Sequence, residues 1–532
     1  MDSYCFKEWA STVISARFWT LSGPQHLIDR NMCRLSRWTV ILILIGPWRI
    51  CAQTNEAKLL PADGAANDFF GGRVSLSGER VLIGAGFDDD NGADAGAAYI
   101  FRFDGSSWIE EAKLIASDGE AGDNFASSVS LSGNRALVGA SKDGDNGMES
   151  GSAYIFQFNE TSWTEETKLI ASDGQEGDFF GRSVSLSGDR ALIGADLDDE
   201  IGDNSGSAHI FYFDGISWTE EAKLIPSDAA AGDAFGASVS LLDDYALIGA
   251  FQDDDNGSLS GSAYVFHFDG SSWSEVTKLT ASDGAGSDFF GLSVSLSLDI
   301  ALIGAYGNDE NGSLSGSAYI FRFDGTNWFE EAKLLPSDGG TNHTFGISVS
   351  LYDEITIIGA PGDDDHGIFS GSIYIFQYDG SSWAEFGKVS ASDGQNDDLF
   401  GSSVSISSNQ ILVGSPYDDD NGTSSGSAYV YTLEATSVDI KRDLAQGFLL
   451  SQNFPNPFNP STTISFSLPG SSDVSLKIFN LLGEEVATLV SGKMDAETHT
   501  VQWEATGQPS GVYFYRLRAG DFLETKKLLL LR

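Results

Sequence analysis

Short apolar runs alternate with polar turns along most of this chain, and the pattern returns every 55 residues. In the second copy, residues 128–132 (SVSLS) precede the turn Gly133-Asn134-Arg135 and the run 136–140 (ALVGA), which is hairpin spacing. A longer polar loop leads to 152–158 (SAYIFQF), and a short turn leads to 163–170 (WTEETKLI). Each run is rich in Val, Ile, Tyr and Phe, and no helical period is present. Lys58, Lys113, Lys168, Lys223, Lys278, Lys333 and Lys388 mark seven copies without a slip. A four-stranded unit repeated in this way predicts a β-propeller.

The ends of the array predict how it closes. Trp108, Trp163, Trp218, Trp273, Trp328 and Trp383 open six fourth strands, and a seventh strand, 56–60, stands before any first strand. The last copy ends at 427–433 with no fourth strand after it. The N-terminal strand is therefore expected to complete the seventh blade and remove the open edges. The fold class is all-β: a seven-bladed propeller closed by the N-terminal strand, over 53–433, followed by a linker at 434–446. A small Ig-like β-sandwich is expected at 447–532.

Composition narrows the function. With 41% hydrophobic and 12% aromatic residues the chain is globular rather than a disordered acidic tail. Its formal charge of −47 excludes nucleic acid as a partner, because phosphates need clustered Lys and Arg. Cys5, Cys33 and Cys51 all precede the repeats, so no disulfide or Cys-held metal is available within them. Residues 1–52 read as an upstream extension and a signal peptide. Arg34 and Arg37 precede the apolar run 39–46, Ala52 is a candidate cleavage residue, and Met32 is a candidate true start. No apolar run after residue 52 is long enough for a transmembrane helix.

Several motifs carry a family resemblance. Phe70-Gly71, Phe180-Gly181, Phe235-Gly236, Phe290-Gly291, Phe345-Gly346 and Phe400-Gly401 are each followed by a Gly-Ala or Gly-Ser pair, most fully Gly359-Ala360-Pro361. They resemble FG-GAP repeats, the blades of integrin-α-like propellers; the second copy departs with Phe125-Ala126. The C-terminal region resembles the type A sorting domain of type IX secretion. Its matching residues are Pro455, Asn456, Pro457, Phe458, Asn459 and Pro460, then Gly483, Gly511 and Tyr513, and finally Lys526 and Lys527. The resemblance implies engagement of the type IX machinery and either release or anchoring at the outer-membrane surface.

Strand direction places the connections from second to third strand, and from each blade to the next, on one face. Both carry carboxylates. The candidates on the first kind of loop are Asp88 and Asp90, Asp143 and Asp145, Asp198, Asp253 and Asp255, Asp309, Asp363 and Asp365, and Asp418 and Asp420. Two readings stand: a site for Ca²⁺, which takes six to eight oxygens, or solvated acidic loops held by Asx turns. The integrin-like D-x-D-x-D-G loop would precede the Gly-Ala strand, where this chain has only tight turns such as Ser187-Gly188-Asp189-Arg190. The histidines fall at unrelated repeat positions, and no G-x-S-x-G opens a helix. The expected function is a monomeric, non-catalytic binding or adhesion propeller whose acidic face takes an extracellular protein or glycan. The alternative is a polymer-acting enzyme, or enzyme-associated module, with its site in the variant loops of blades two, three or six.

Overall fold

The computed structural model describes residues 54–433 and, in the C-terminal region, 449–450, 458, 460–468, 472–480, 484–494, 498–520 and 522–530. The signal-peptide, start-codon and linker expectations lie outside these residues. Every regular element described is a strand.

Seven four-stranded antiparallel sheets form the repeat region. Blade one comprises Arg73–Ser77, Arg80–Ala85, Ala97–Phe103 and Trp108–Leu114, from inner to outer strand. The second and third strands are buried along almost their whole length because neighbouring blades cover both of their faces. That explains the continuous apolar runs RVLIGA and AAYIF. The outer strand is half-buried or exposed at every position before Leu114 and is accordingly polar. Each hydrophobic cluster draws on two adjacent blades: Leu82 and Ile100 of blade one pack with Phe125, Val138 and Tyr154 of blade two.

Thr54–Leu59 pairs antiparallel with Ser427–Leu433, from Thr54 opposite Leu433 to Leu59 opposite Ala428, and completes blade seven. A ring of inner-strand hydrogen bonds also closes. The Leu131 amide donates to Ser75 Oγ at 2.9 Å, the pattern recurs around the ring, and the Leu76 amide donates to Ser405 Oγ at 3.0 Å. A second ring uses Ser128, Ser183, Ser238, Ser293, Ser348 and Ser403. Each hydroxyl donates, at 2.7–2.8 Å, to the carbonyl of the Phe-Gly glycine in the next blade.

The Phe-Gly pair fits this junction. The phenylalanines are buried, and Phe70 meets Tyr99 edge-on at 5.4 Å. The following glycine adopts φ near +90°, as at Gly181 (φ 91), where an added Cβ would run into the Ser152 carbonyl. Ala126 holds the same region at φ 70. Blade one, which faces it, has Arg73 at the position that is serine in the other six blades.

The C-terminal region forms two sheets. One contains Leu449–Leu450, Ser461–Ser467 and Thr498–Glu504; the other orders Glu485–Met494, Ser472–Asn480, Gly511–Ala519 and Phe522–Leu530. They share a core including Phe458, Ile464, Trp503 and Tyr515, as a small sandwich requires.

Candidate functional site

The loop face is organised around the seven repeat lysines. Lys113, near the end of blade one's outer strand, places Nζ 2.9 Å from Asp63, 2.9 Å from Asp88 and 2.6 Å from Asp90. Asp63 comes from the loop entering the blade, and Asp88 and Asp90 from the loop after its second strand. The Tyr99 hydroxyl donates to Asp63 at 2.9 Å and to Asp88 at 2.7 Å, and the ammonium lies 5.1 Å from the Tyr99 ring centre. One cation thus joins two loops and a tyrosine.

A lysine joined to carboxylates of two loops recurs in every blade, with a histidine in place of the tyrosine in blade three. Asp143 and Asp145 meet Lys168, Asp253 and Asp255 meet Lys278, Asp363 and Asp365 meet Lys388, and Asp418 and Asp420 meet Lys58, all at 2.6–2.8 Å. In blade three Asp198 meets Lys223 at 2.8 Å, with Glu200 at 2.6 Å. Asp309 is the exception among the expected residues. Its Oδ1 accepts the Leu314 amide at 2.8 Å, while Glu310 and Asn308 take the lysine-facing places beside Lys333. The 55-residue register shows why: Asn308 and Glu310 correspond to Asp253 and Asp255, and Asp309 to Asp254.

The donor set does not fit a calcium ion. In each group an ammonium already stands among the oxygens that a divalent ion would need, and the two cations would repel at that separation. Burial alone would lower the pKa of Lys113, but the hydrogen-bonded carboxylates outweigh it and hold the pKa above the ordinary lysine value. Asp63 responds in the opposite sense: burial raises its pKa, yet Lys113 and Tyr99 bring it below the usual value. Sequence reasoning used the lysines only as a ruler, although their constant spacings of 50, 25 and 23 residues from the aspartates were visible.

A second carboxylate set is buried without a lysine partner. Asp68, Asp123, Asp178, Asp233, Asp288 and Asp398 are buried, and each accepts a backbone amide three residues upstream, as Asp178 does from Gln175 at 2.7 Å. Burial pushes Asp178 up to about 6. Blade six has His343 at this position, with Nδ1 3.4 Å from Asp363.

Blade three contains a constellation that the sequence did not reveal. Ser207 Oγ is 3.1 Å from His209 Nε2, and His209 Nδ1 is 2.9 Å from Glu220 Oε1, which is the connectivity of a Ser-His-Glu triad. Ser207 and His209 are fully buried, and the serine hydroxyl donates to Asp198 at 2.8 Å, so no substrate reaches it. Glu220 also anchors the Ser172 amide at 2.9 Å, and the equivalent glutamates of other blades do the same. His209 therefore substitutes for the repeat tyrosine, and its hydrogen bond helps bring Glu220 down to about 2 against the effect of burial.

Among the tail residues, Phe458 is buried, donates its amide to the Leu529 carbonyl at 3.0 Å and packs 5.4 Å from Trp503. The Pro460 carbonyl accepts the Ala505 amide at 2.8 Å, and the Tyr513 hydroxyl donates to the Pro509 carbonyl at 2.8 Å. Gly511 opens a strand, and Lys526 and Lys527 lie on the last one, opposite Tyr515 and Phe514. Pro455, Asn456, Pro457, Asn459 and Gly483 lie outside the described residues.

Comparison with known proteins places both parts. The FG-GAP repeat model matches seven times, at 53–101, 108–156, 163–211, 218–266, 273–321, 328–376 and 383–431. The secretion system C-terminal sorting domain matches 452–531, which marks the chain for type IX export to the cell surface or beyond it. No curated protein matches. Among solved structures, a fungal alcohol oxidase aligns at 10% identity over 90% of this chain and 100% of its own, with a TM-score of 0.46. The β-propeller domain of the Trilobed protease from Pyrococcus furiosus aligns at 12% over 64% and 90%, with a TM-score of 0.39. PorZ, a surface component of the type-IX secretion system of Porphyromonas gingivalis, aligns at 14% over 86% and 70%, with a TM-score of 0.25. Among the described residues no helix is long and apolar enough to cross a membrane. With seven matched copies spanning more than half its length, the chain belongs to the FG-GAP repeat family and carries a type IX sorting domain at its C-terminal end.

Proposed function

We propose that this exported propeller is a non-catalytic binding module that presents its loop face to an extracellular protein or glycan. The observation that carries the reading is the sevenfold repetition of the lysine–carboxylate groups. Glycoside hydrolysis or proton transfer needs one site whose acid and base differ from their surroundings. Here a lysine binds rim carboxylates in every blade, with the side chains varied only in blades three and five, and the Ser207-His209-Glu220 chain is sealed. Such a rim is rigid, repeated and anionic, properties suited to contact rather than turnover.

The loops are held by the chain's own ammonium groups, so the module is proposed to work without Ca²⁺. The full chain, screened on protein and glycan arrays with millimolar Ca²⁺ or excess chelator, is expected to retain the same ligand in both. Turnover on a polysaccharide and peptide panel, abolished by altering the loop of a single blade, would overturn the non-catalytic reading. Labelling of Ser207 by a fluorophosphonate probe in the folded chain would do so as well.

A further inference from the structure

The rim is negative, but the mouth of the central channel is not. The first strands of all seven blades line an axial cavity of about 480 Å³. At one level six blades contribute the serines that bridge to the next blade, and blade one contributes Arg73. One residue earlier in the repeat the blades carry Gly72, Ser127, Ala237, Leu292, Ile347 and Ser402, and blade three alone carries a charge, Arg182. Both arginines face one cavity and have the same sign; a third departure, Asp196, lines it too, at a position where no other blade carries a charge.

Their local partners do not neutralise them. Arg73 donates from Nε to the Ser127 carbonyl at 3.0 Å and from Nη1 to the Gly72 carbonyl at 2.8 Å, which fixes the guanidinium against the channel wall without supplying an anion. Arg182 has Asp196 at 3.9 Å, beyond hydrogen-bond range, and Asp196 Oδ1 is buried with no hydrogen-bond partner. Arg73 itself is exposed to the channel, so its guanidinium is open to a ligand from solvent. Two guanidinium groups against one loosely placed carboxylate leave the channel mouth net positive, inside a ring with 15 basic and 63 acidic residues.

We propose that the axial cavity is a binding site for a small oxyanion, a carboxylate or phosphate group held between Arg73 and Arg182. Guanidinium presents paired N–H donors that match two oxygens of such a group. The volume admits a ligand up to about the size of a sugar acid. The site is separate from the rim, and it stands or falls independently of the proposed rim ligand.

The test uses the full chain, with inorganic phosphate and glucuronate as probes, each compared with chloride at equal ionic strength. Arg73→Ser and Arg182→Ala install residues that other blades already carry at these positions, so the double variant is expected to fold. Wild type is expected to show a saturable rise of a few degrees in melting temperature with at least one probe, because a ligand bound by the native state stabilises it by mass action. A response to phosphate alone identifies a phosphate site, and a response to glucuronate identifies a carboxylate site. The double variant is expected to lose the response; because it leaves the buried Asp196 without its cation, its response is read against its own melting temperature without anion. No response above chloride in wild type, checked by calorimetric titration, or an equal response in the double variant, overturns the proposal.

Discussion

Asp178 shows how position within one loop decides what a carboxylate does. It is 5% exposed, with one amide donor and no cation within ion-pair distance, and burial holds its pKa at about 6 against 3.8 for an ordinary aspartate. The folded state therefore binds its proton more tightly than the unfolded chain does. Its contribution to stability is complete below about pH 3.8 and is lost as pH rises through 6. Asp178→Asn keeps an oxygen for the Gln175 amide and removes the charge. The variant should be more stable than wild type at pH 8, by at most about 3 kcal/mol, with the gain vanishing near pH 4. Melting temperatures of both proteins across that range decide it, and an equal gain at pH 4 would show that charge is not the cause. Asp63 runs the other way: its pKa is lowered by Lys113 and Tyr99, so its contribution is present at neutral pH and disappears on acidification below the ordinary carboxylate range.

At the level of the blade, the outer-strand lysine, the third-strand tyrosine and two loops form one electrostatic unit. In blade one, Lys113→Met keeps an aliphatic stem over Tyr99 but leaves Asp63, Asp88 and Asp90 facing one another. Removing one partner from a buried ion pair costs roughly 3–5 kcal/mol. Asp63 and Asp90 are largely in water, so a loss of about 1–3 kcal/mol is expected here after allowing for screening. The variant should also gain what wild type lacks, a melting temperature that rises with millimolar Ca²⁺ and falls with chelator. A wild-type response of equal size would show that the ammonium does not exclude the ion. The strands of this unit were legible from alternation, and the carboxylates were legible as loop residues. The lysine's role was not, because its partners lie 50, 25 and 23 residues upstream and meet it only after two strands have folded back. Arg73 is one odd residue in a column of serines, and its meaning depends on all seven first strands facing one axis.

The ring as a whole was readable from counting strands, since six fourth strands plus one early strand leave a single way to close. What counting does not give is how much the closing strand carries. Thr54–Leu59 supplies blade seven with an edge-covering strand and brings Leu59 into the core shared by blades seven and one. It also provides Lys58 for Asp393, Asp418 and Asp420, and Glu56 for the Ser392 amide and the Tyr431 hydroxyl. Every other blade draws these groups from neighbouring sequence, whereas blade seven draws them from more than 330 residues away. Deleting residues 53–60 should therefore expose the edge of Ser427–Leu433, strand three carboxylates without a cation and promote edge-to-edge aggregation. A peptide of that sequence added in trans should restore the melting temperature, and the same peptide with Lys58→Met should restore it less, because hydrogen-bonded pairing returns without the ammonium. If the deleted chain melts like wild type, the ring does not depend on its closing strand. Equal rescue by both peptides would mean that closure rests on backbone pairing and burial alone, with the lysine group of blade seven contributing nothing measurable.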